Sequence, residues 1–259
     1  MSRSPLPLFD TINPKNEKAY YGPTIPLWRL TIMSINIVGK ADDLVTVKNI
    51  LISVSDKSGL EELVCGLAGI NPDISILSTG GTFSTVQKIL GDKAKGRLTQ
   101  VAAYTGQPET QGGLVKTLDF KIYLGLLTET YNTDHANDLA RTGAITIDMV
   151  VVNLYPFAQT IARPDTTPEQ ARGNIDIGGP CMLRAAAKNF IRVTPVVNPS
   201  DYTSILAELR ETNGKISLKT RFTLARKAFA HTAVYDRAVA DYLGATAFDD
   251  IKKCYTFNG

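Results

Sequence analysis

The stretch NILISVSDKSGLEELVCGLAGINPDISILSTGGT, residues 49–82, decides how this chain folds. Its first apolar run, 50–55, is short and largely aliphatic, which predicts a buried strand. DKSG at 56–59 is turn chemistry, and the amphipathic pattern after it predicts a helix to about Leu67. A second apolar run at 74–77 predicts another strand, which enters STGGT at 78–82 and a helix to about Leu90. Short apolar strands alternating with helices imply a mainly parallel sheet covered on both faces. Outward from this core, MVVV at 149–152 reads as a third strand and 193–197 as a weaker one. Residues 217–243 carry a long helical pattern through Phe222, Ala225, Phe229, Ala233, Val239 and Tyr242, which reads as an arm or a dimer element. The expected fold class is therefore α/β, a mainly parallel sheet flanked by helices, with a C-terminal helical arm.

The expected organisation is an N-terminal extension at 1–46, an α/β domain at 47–216 and the helical arm at 217–259. The extension is marked by Pro5, Pro7, Pro14, Pro23 and Pro26. Residues 27–38 alternate loosely, so a strand or hairpin arm carrying Trp28 is the reading there.

Composition narrows the function. A chain of 259 residues with 44% hydrophobic residues can bury a sizeable core. A net charge of +3 with scattered basic residues argues against nucleic acid. Cys65, Cys181 and Cys254 show no zinc spacing, and two histidines do not make a His-rich metal site. An odd thiol count with no signal-peptide pattern fits a cytoplasmic location, and no apolar run approaches the ~18 residues that span a bilayer.

Candidate chemistry sits where strands end, the favoured edge for a ligand in such a sheet. In SVSDKSG (53–59), Ser53 and Lys57 can hold an anion at a helix start, although Asp56 or Ser55 as a cap with a solvated Lys57 is the plainer reading. In STGGT, Ser78, Gly80, Gly81 and Thr82 repeat that logic, since glycines let backbone approach a phosphate. In LVKTL (114–118), Lys116 and Thr117 follow a turn-rich stretch; a plain surface lysine is the alternative. NLYPF (153–157) offers Asn153 and the Tyr155 hydroxyl, or simply a core aromatic. NIDIGGPCMLRAAAKN (174–189) puts Asp176 and Gly178 before a nearly uncharged helix and Lys188 at its end, where both charges also suit helix termini. Twelve residues of straight helix span about 18 Å. Asp176 and Lys188 can then share a site only if Gly178-Gly179-Pro180 folds back, or if one of them comes from another subunit.

Together with YTGQPE (104–109) and KAFAHTAVYD (227–236), in this order and spacing, these strings resemble the IMP cyclohydrolase domain of the bifunctional AICAR transformylase/IMP cyclohydrolase family, over roughly residues 49–243. The resemblance implies a methylglyoxal-synthase-like fold. It implies ring closure of the formamide-bearing imidazole nucleotide FAICAR to inosine monophosphate (IMP) and water, a cyclic amidine hydrolase running in the closing direction, in de novo purine biosynthesis. No metal or redox cofactor is implied. By resemblance the phosphate sits on Ser53, Lys57, Ser78, Gly80, Gly81 and Thr82. Lys116 polarises the formyl oxygen, while Tyr155, Asp176 and Lys188 orient the amide and relay protons. Asn153, Thr117 and Gly178 contact the base or carboxamide. The expected partners are the purine nucleotides, a second copy in a homodimer, and a separate AICAR formyltransferase, because the family's large transformylase domain does not follow.

The departures cluster. Where the family reads GRVKTLHP and then a second histidine, this chain has Leu114 for arginine, Asp119-Phe120 for His-Pro, and Tyr123 for the second histidine. Losing the arginine fork removes a charge beside Lys116. Two other readings therefore stay open: a non-catalytic purine-nucleotide-binding or regulatory module, and an assembly subunit of a separate transformylase.

Overall fold

The computed structural model describes residues 37–107, 110 and 115–258. The hairpin reading with Trp28 falls almost wholly outside them, as do Gly113 and the Leu114 departure. Everything below concerns the compact unit Lys40–Gly259.

In chain order this unit runs β1 (Leu44–Thr46), β2 (Asn49–Val54), α1 (Leu60–Ile70), β3 (Ser75–Ser78), α2 (Gly80–Leu90), β4 (Leu98–Gln100) and α3 (Val101–Thr105). It continues with α4 (Phe120–Leu127), α5 (Thr133–Thr142), β5 (Met149–Asn153), α6 (Phe157–Ile161), α7 (Pro168–Gly173) and α8 (Gly178–Lys188). The last elements are β6 (Thr194–Val196), α9 (Tyr202–Glu211), β7 (Lys215–Ser217), α10 (Leu218–Ala245) and α11 (Phe248–Lys253). The main sheet has the order β4-β3-β2-β5-β6, and its strand pairs are all parallel. A small antiparallel pair, β1 with β7, stands apart from it.

The strands read as unbroken apolar runs because both faces are covered. Ile50, Ile52, Val54, Met149 and Val151 enter one core with Leu60, Leu63 and Leu67 of α1, Val86 of α2 and Ile205 and Leu209 of α9. Their neighbours Leu51, Val150 and Val152 enter the other, with Ile122 of α4, Met182 and Leu183 of α8 and Ala225 and Ala228 of α10. This is the two-residue alternation of a strand, with apolar partners on each side. On α8, Ala185, Ala186 and Ala187 are all buried, and their small side chains let α8 lie along α10 and β6. The helical arm is thus fastened to the body. Arg221, fully buried near the start of α10, donates to the carbonyls of Asp42, Asp43, Phe190, Ile191 and Ile216. Among the described residues no helix is long and apolar enough to cross a membrane.

At the amino ends of the strands a buried ion pair sets the register. Asp148, just before β5, accepts from the Lys48 and Asn49 N–H groups at 3.0 and 2.9 Å, and faces Arg192 at 3.3 Å. Arg192 also donates to the carbonyls of Thr128 and Ile147. Burial pushes the Asp148 carboxyl up, against the pull of its hydrogen bonds and of Arg192, and pushes the Arg192 guanidinium down. Desolvation is the larger effect on both groups, so the pair as a whole is expected to add little net stability, while its hydrogen bonds tie the starts of β2 and β5 together. Removing one partner is a different matter. Asp148→Ala strands a buried guanidinium and two backbone donors, and is expected to cost about 3–5 kcal/mol in urea unfolding. A loss below about 1 kcal/mol would show that the pair carries no such role.

Candidate active site

The sheet order brings the chain off β2 to one side through β3 and β4, and later to the other side through β5 and β6. The carboxyl ends of β2, β3 and β5 therefore border the crevice where the winding reverses, which is where open α/β sheets bind ligands. An open cleft of about 410 Å³ lies there. Its walls include Ser53, Lys57, Gly80, Gly81, Thr82, Lys116, Thr117, Asn153, Tyr155, Asp176 and Gly178. Of the residues singled out in the sequence, Ser78 and Lys188 are not among them.

One half of the cleft is built from the two loops. The Ser53 and Thr79 hydroxyls meet at 2.8 Å, joining the ends of β2 and β3. No side chain caps the start of α2, so its first N–H groups and the positive end of the helix dipole face the loop. Gly80 has φ +43°, a left-handed conformation that suits glycine. A Cβ built there would lie 3.5 Å from Lys116 Nζ, which places that ammonium over the glycine loop. Lys57 adds a second cation from the first loop. Asp56 does not cap α1: its carboxylate grips Ser58 N and Oγ at 2.9 and 2.6 Å, which holds its pKa below the usual range.

Two hydroxyls in these loops serve the scaffold. Ser78 is fully buried because β3 extends through it, and its hydroxyl donates to Ile52 O at 2.8 Å. The expectation that Ser78 lines the phosphate seat is corrected accordingly. Thr82 Oγ1 donates to Val54 O and accepts from Val54 N, so Thr82 offers the cleft its backbone rather than a free hydroxyl. Thr79 was not singled out, although it sits inside STGGT; alternation along β3 was the signal that it, rather than Ser78, faces the ligand edge.

The other half gathers around Asp176. Its Oδ1 accepts from Gly179 N at 2.9 Å, and the Tyr155 N–H also faces the carboxylate. Burial nevertheless dominates and raises its pKa. Close approach explains both glycines. A Cβ at Gly179 would fall 2.6 Å from Asp176 Oδ2 and 2.7 Å from Leu154 Cδ2, and one at Gly178 would fall 2.5 Å from the Thr117 hydroxyl. Tyr155 is 53% exposed and projects into the cleft wall rather than the core.

Gly178-Gly179-Pro180 does not fold back. These are the first three residues of α8, and a proline is tolerated in a first turn because its missing N–H has no helical partner to lose. The helix has 11 residues, about 16 Å of rise, so Lys188 is exposed at the far end from Asp176. Within one chain the two do not share a site.

Asn153 is placed at the cleft, but its amide is already engaged. Oδ1 accepts from Ser55 N at 2.6 Å and Asp56 N at 2.9 Å, while Nδ2 donates to Asp56 O at 2.8 Å. It latches the loop after β2 to the end of β5. At the departures, Asp119 is the N-cap of α4, accepting from Lys121 N at 2.7 Å, and Phe120 is exposed. The buried Tyr123 hydroxyl lies against Cys181, and burial raises the phenol's pKa. None of the three lines the cleft.

The parallel α/β sheet with its cleft at the reversal point has the architecture of an MGS-like domain, and the model of that domain matches residues 59–181. The model described as AICARFT/IMPCHase bienzyme matches residues 186–258. The chain belongs to the AICARFT/IMPCHase family, as a domain of MGS-like fold. The bifunctional purine biosynthesis protein PurH of Chlorobium phaeobacteroides (strain BS1) is 48% identical over 201 residues, 78% of this chain. This chain spans 37% of that protein's length. The crystal structure of ForH is similar with a TM-score of 0.63 and 32% identity, over 75% of this chain and 98% of ForH.

The latch makes a direct prediction. Asn153→Ala should lower unfolding stability by about 1 kcal/mol and speed amide exchange at Ser55 and Asp56. Unchanged exchange at those two amides would remove Asn153 from this role.

Proposed function

We propose that this chain is an IMP cyclohydrolase that closes FAICAR to IMP. The observation that carries the reading is the convergence of Lys116, Tyr155 and Asp176 on one cleft with the SVSDKSG and STGGT loops. In this reading the 5′-phosphate sits on the α2 start with Ser53, Lys57, Gly80, Gly81 and Thr82, while Thr117 and Gly178 border the base. The carboxamide nitrogen attacks the formyl carbon and forms the C–N bond. Asp176 accepts the amide proton, and Lys116 donates to the developing oxyanion. Tyr155 orients the carboxamide. The carbinol oxygen, protonated a second time, then leaves as water while the former formamide N–H proton is lost and the ring C=N bond forms, which balances FAICAR against IMP plus water. Holding both ends of one molecule in a compact conformer supplies much of the rate, and the oppositely charged donor and acceptor supply the rest.

Helix geometry gives Lys188 a part only if a second copy presents it, so the reading includes a homodimer. The formyl group would come from an AICAR formyltransferase, and the reaction belongs to the cytoplasm. One observation favours a second reading, a purine-nucleotide-binding module without turnover: Asp119, which stands where the family's motif has a histidine, caps a helix and does not line the cleft. Supplying FAICAR and following IMP by absorbance separates the two. Turnover above uncatalysed closure supports the enzyme; nucleotide binding without it supports the module.

Two outcomes follow for the enzyme. Lys116→Ala should lower kcat about 10²-fold with KM changed far less; a defect confined to KM would make Lys116 a binding residue. Asp176 must be ionised to accept a proton, and its pKa is raised in the folded protein. The kcat/KM profile should therefore fall as pH drops through a value above the ordinary aspartate 3.8. An acidic limb at or below that value, or one that survives Asp176→Asn, would remove Asp176 as the base.

A further inference from the structure

The string KAFAHTAVYD at 227–236 takes no part in the chemistry above, yet its Tyr235 reaches the site from behind. Tyr235 is 9% exposed on the inner face of α10. Its hydroxyl accepts from the Asp176 N–H at 2.7 Å and lies 3.4 Å from the Asn174 carbonyl, to which it can donate. Its ring packs edge-on to Phe157, with centroids 6.2 Å apart and planes at 63°. Phe157 ends the NLYPF segment that carries Tyr155, and Tyr242, two turns further along α10, packs on the same ring at 5.8 Å.

We propose that Tyr235 is a positioning residue that fixes Asp176 and Tyr155 relative to one another. The argument is geometric. Asp176 lies between α7 and α8, outside the regular backbone of either helix. Its carboxylate is oriented by the Gly179 and Tyr155 N–H groups, but a carboxylate on a free turn would move with that turn. The Tyr235 hydroxyl takes up the backbone N–H of Asp176 itself. The rigid ring of the same residue abuts the segment that supplies Tyr155. A two-torsion aromatic side chain on a long packed helix can hold such a distance at little entropic cost. A precision of a fraction of an ångström in the base is worth large factors in a ring closure. This role rests on the cyclohydrolase reading for its kinetic consequence, but not for its structural one.

Tyr235→Phe tests it, because the ring stays against Phe157 and only the hydroxyl is lost. Amide exchange at Asp176 should rise in this variant whether or not the protein turns over FAICAR. If wild-type protein is active, kcat should fall about tenfold with KM within about twofold. In an Asp176→Asn background the same change should slow the residual rate no further, since Tyr235 acts through Asp176. Unchanged exchange at Asp176 overturns the proposal, and so does an undiminished kcat. Faster exchange in Tyr235→Phe together with no ring closure by the wild-type protein sinks the cyclohydrolase reading and leaves the contact itself standing.

Discussion

The site depends on one constraint: the chain must change sides of the sheet at β2. Parallel strands end at the same edge, so winding outward through β3 and β4 alone would cover that edge with successive connections. Reversing to β5 leaves an uncovered crevice between the loops that follow β2 and β5. The reversal also creates a problem, because two loops far apart in sequence must meet there with no ladder to align them. Asn153 solves it locally. It is paired across from Val54 at the last rung, and its amide reaches past the ladder to grip Ser55 and Asp56. The Asp148–Arg192 pair fixes the opposite end of the same strands, so β5 is pinned at both ends.

Much of this was legible in the sequence, and for a clear reason. The apolar runs at 50–55, 74–77 and 149–152 became strands within a residue or so, because a strand buried on both faces leaves a continuous apolar trace. The long helical pattern at 217–243 became α10. The short strand β4 and the β1–β7 pair left little trace, since three-residue strands have too few positions to show a period. In the site, the loops at 53–59 and 78–82, Lys116, Tyr155 and Asp176 reached one cleft as expected. Ser78 was named and Thr79 was not because the strand was expected to stop at 77; with β3 running through Ser78, that side chain stays in the sheet and Thr79 takes the ligand edge.

What sequence spacing could not give was the hydrogen-bond allegiance of polar groups. Asn153 and Thr82 both border the cleft, yet their side chains are bonded to backbone, an allegiance that depends on the folded chain and not on spacing. The same holds for the string around Asp176. Gly178 and Gly179 look like turn residues; the structure makes them helical residues whose missing Cβ atoms admit the Asp176 carboxylate and the Thr117 hydroxyl. Small side chains here create room for polar groups, rather than a bend in the chain.

That distinction decides how the acid is tuned. A folded-back turn would have put Asp176 beside Lys188, and an ammonium partner would lower its pKa. A helical α8 removes the lysine and leaves the Gly179 and Tyr155 N–H groups to stabilise the carboxylate, against its partial burial. The balance goes to burial, and the carboxyl rises. A carboxylate raised in this way is a stronger proton acceptor than a salt-bridged one, which is what an amide proton demands. In the cyclohydrolase proposed above, a helical α8 thus suits Asp176 as the base within one chain better than the shared site would have done, and it leaves Lys188 exposed at the far end of the helix.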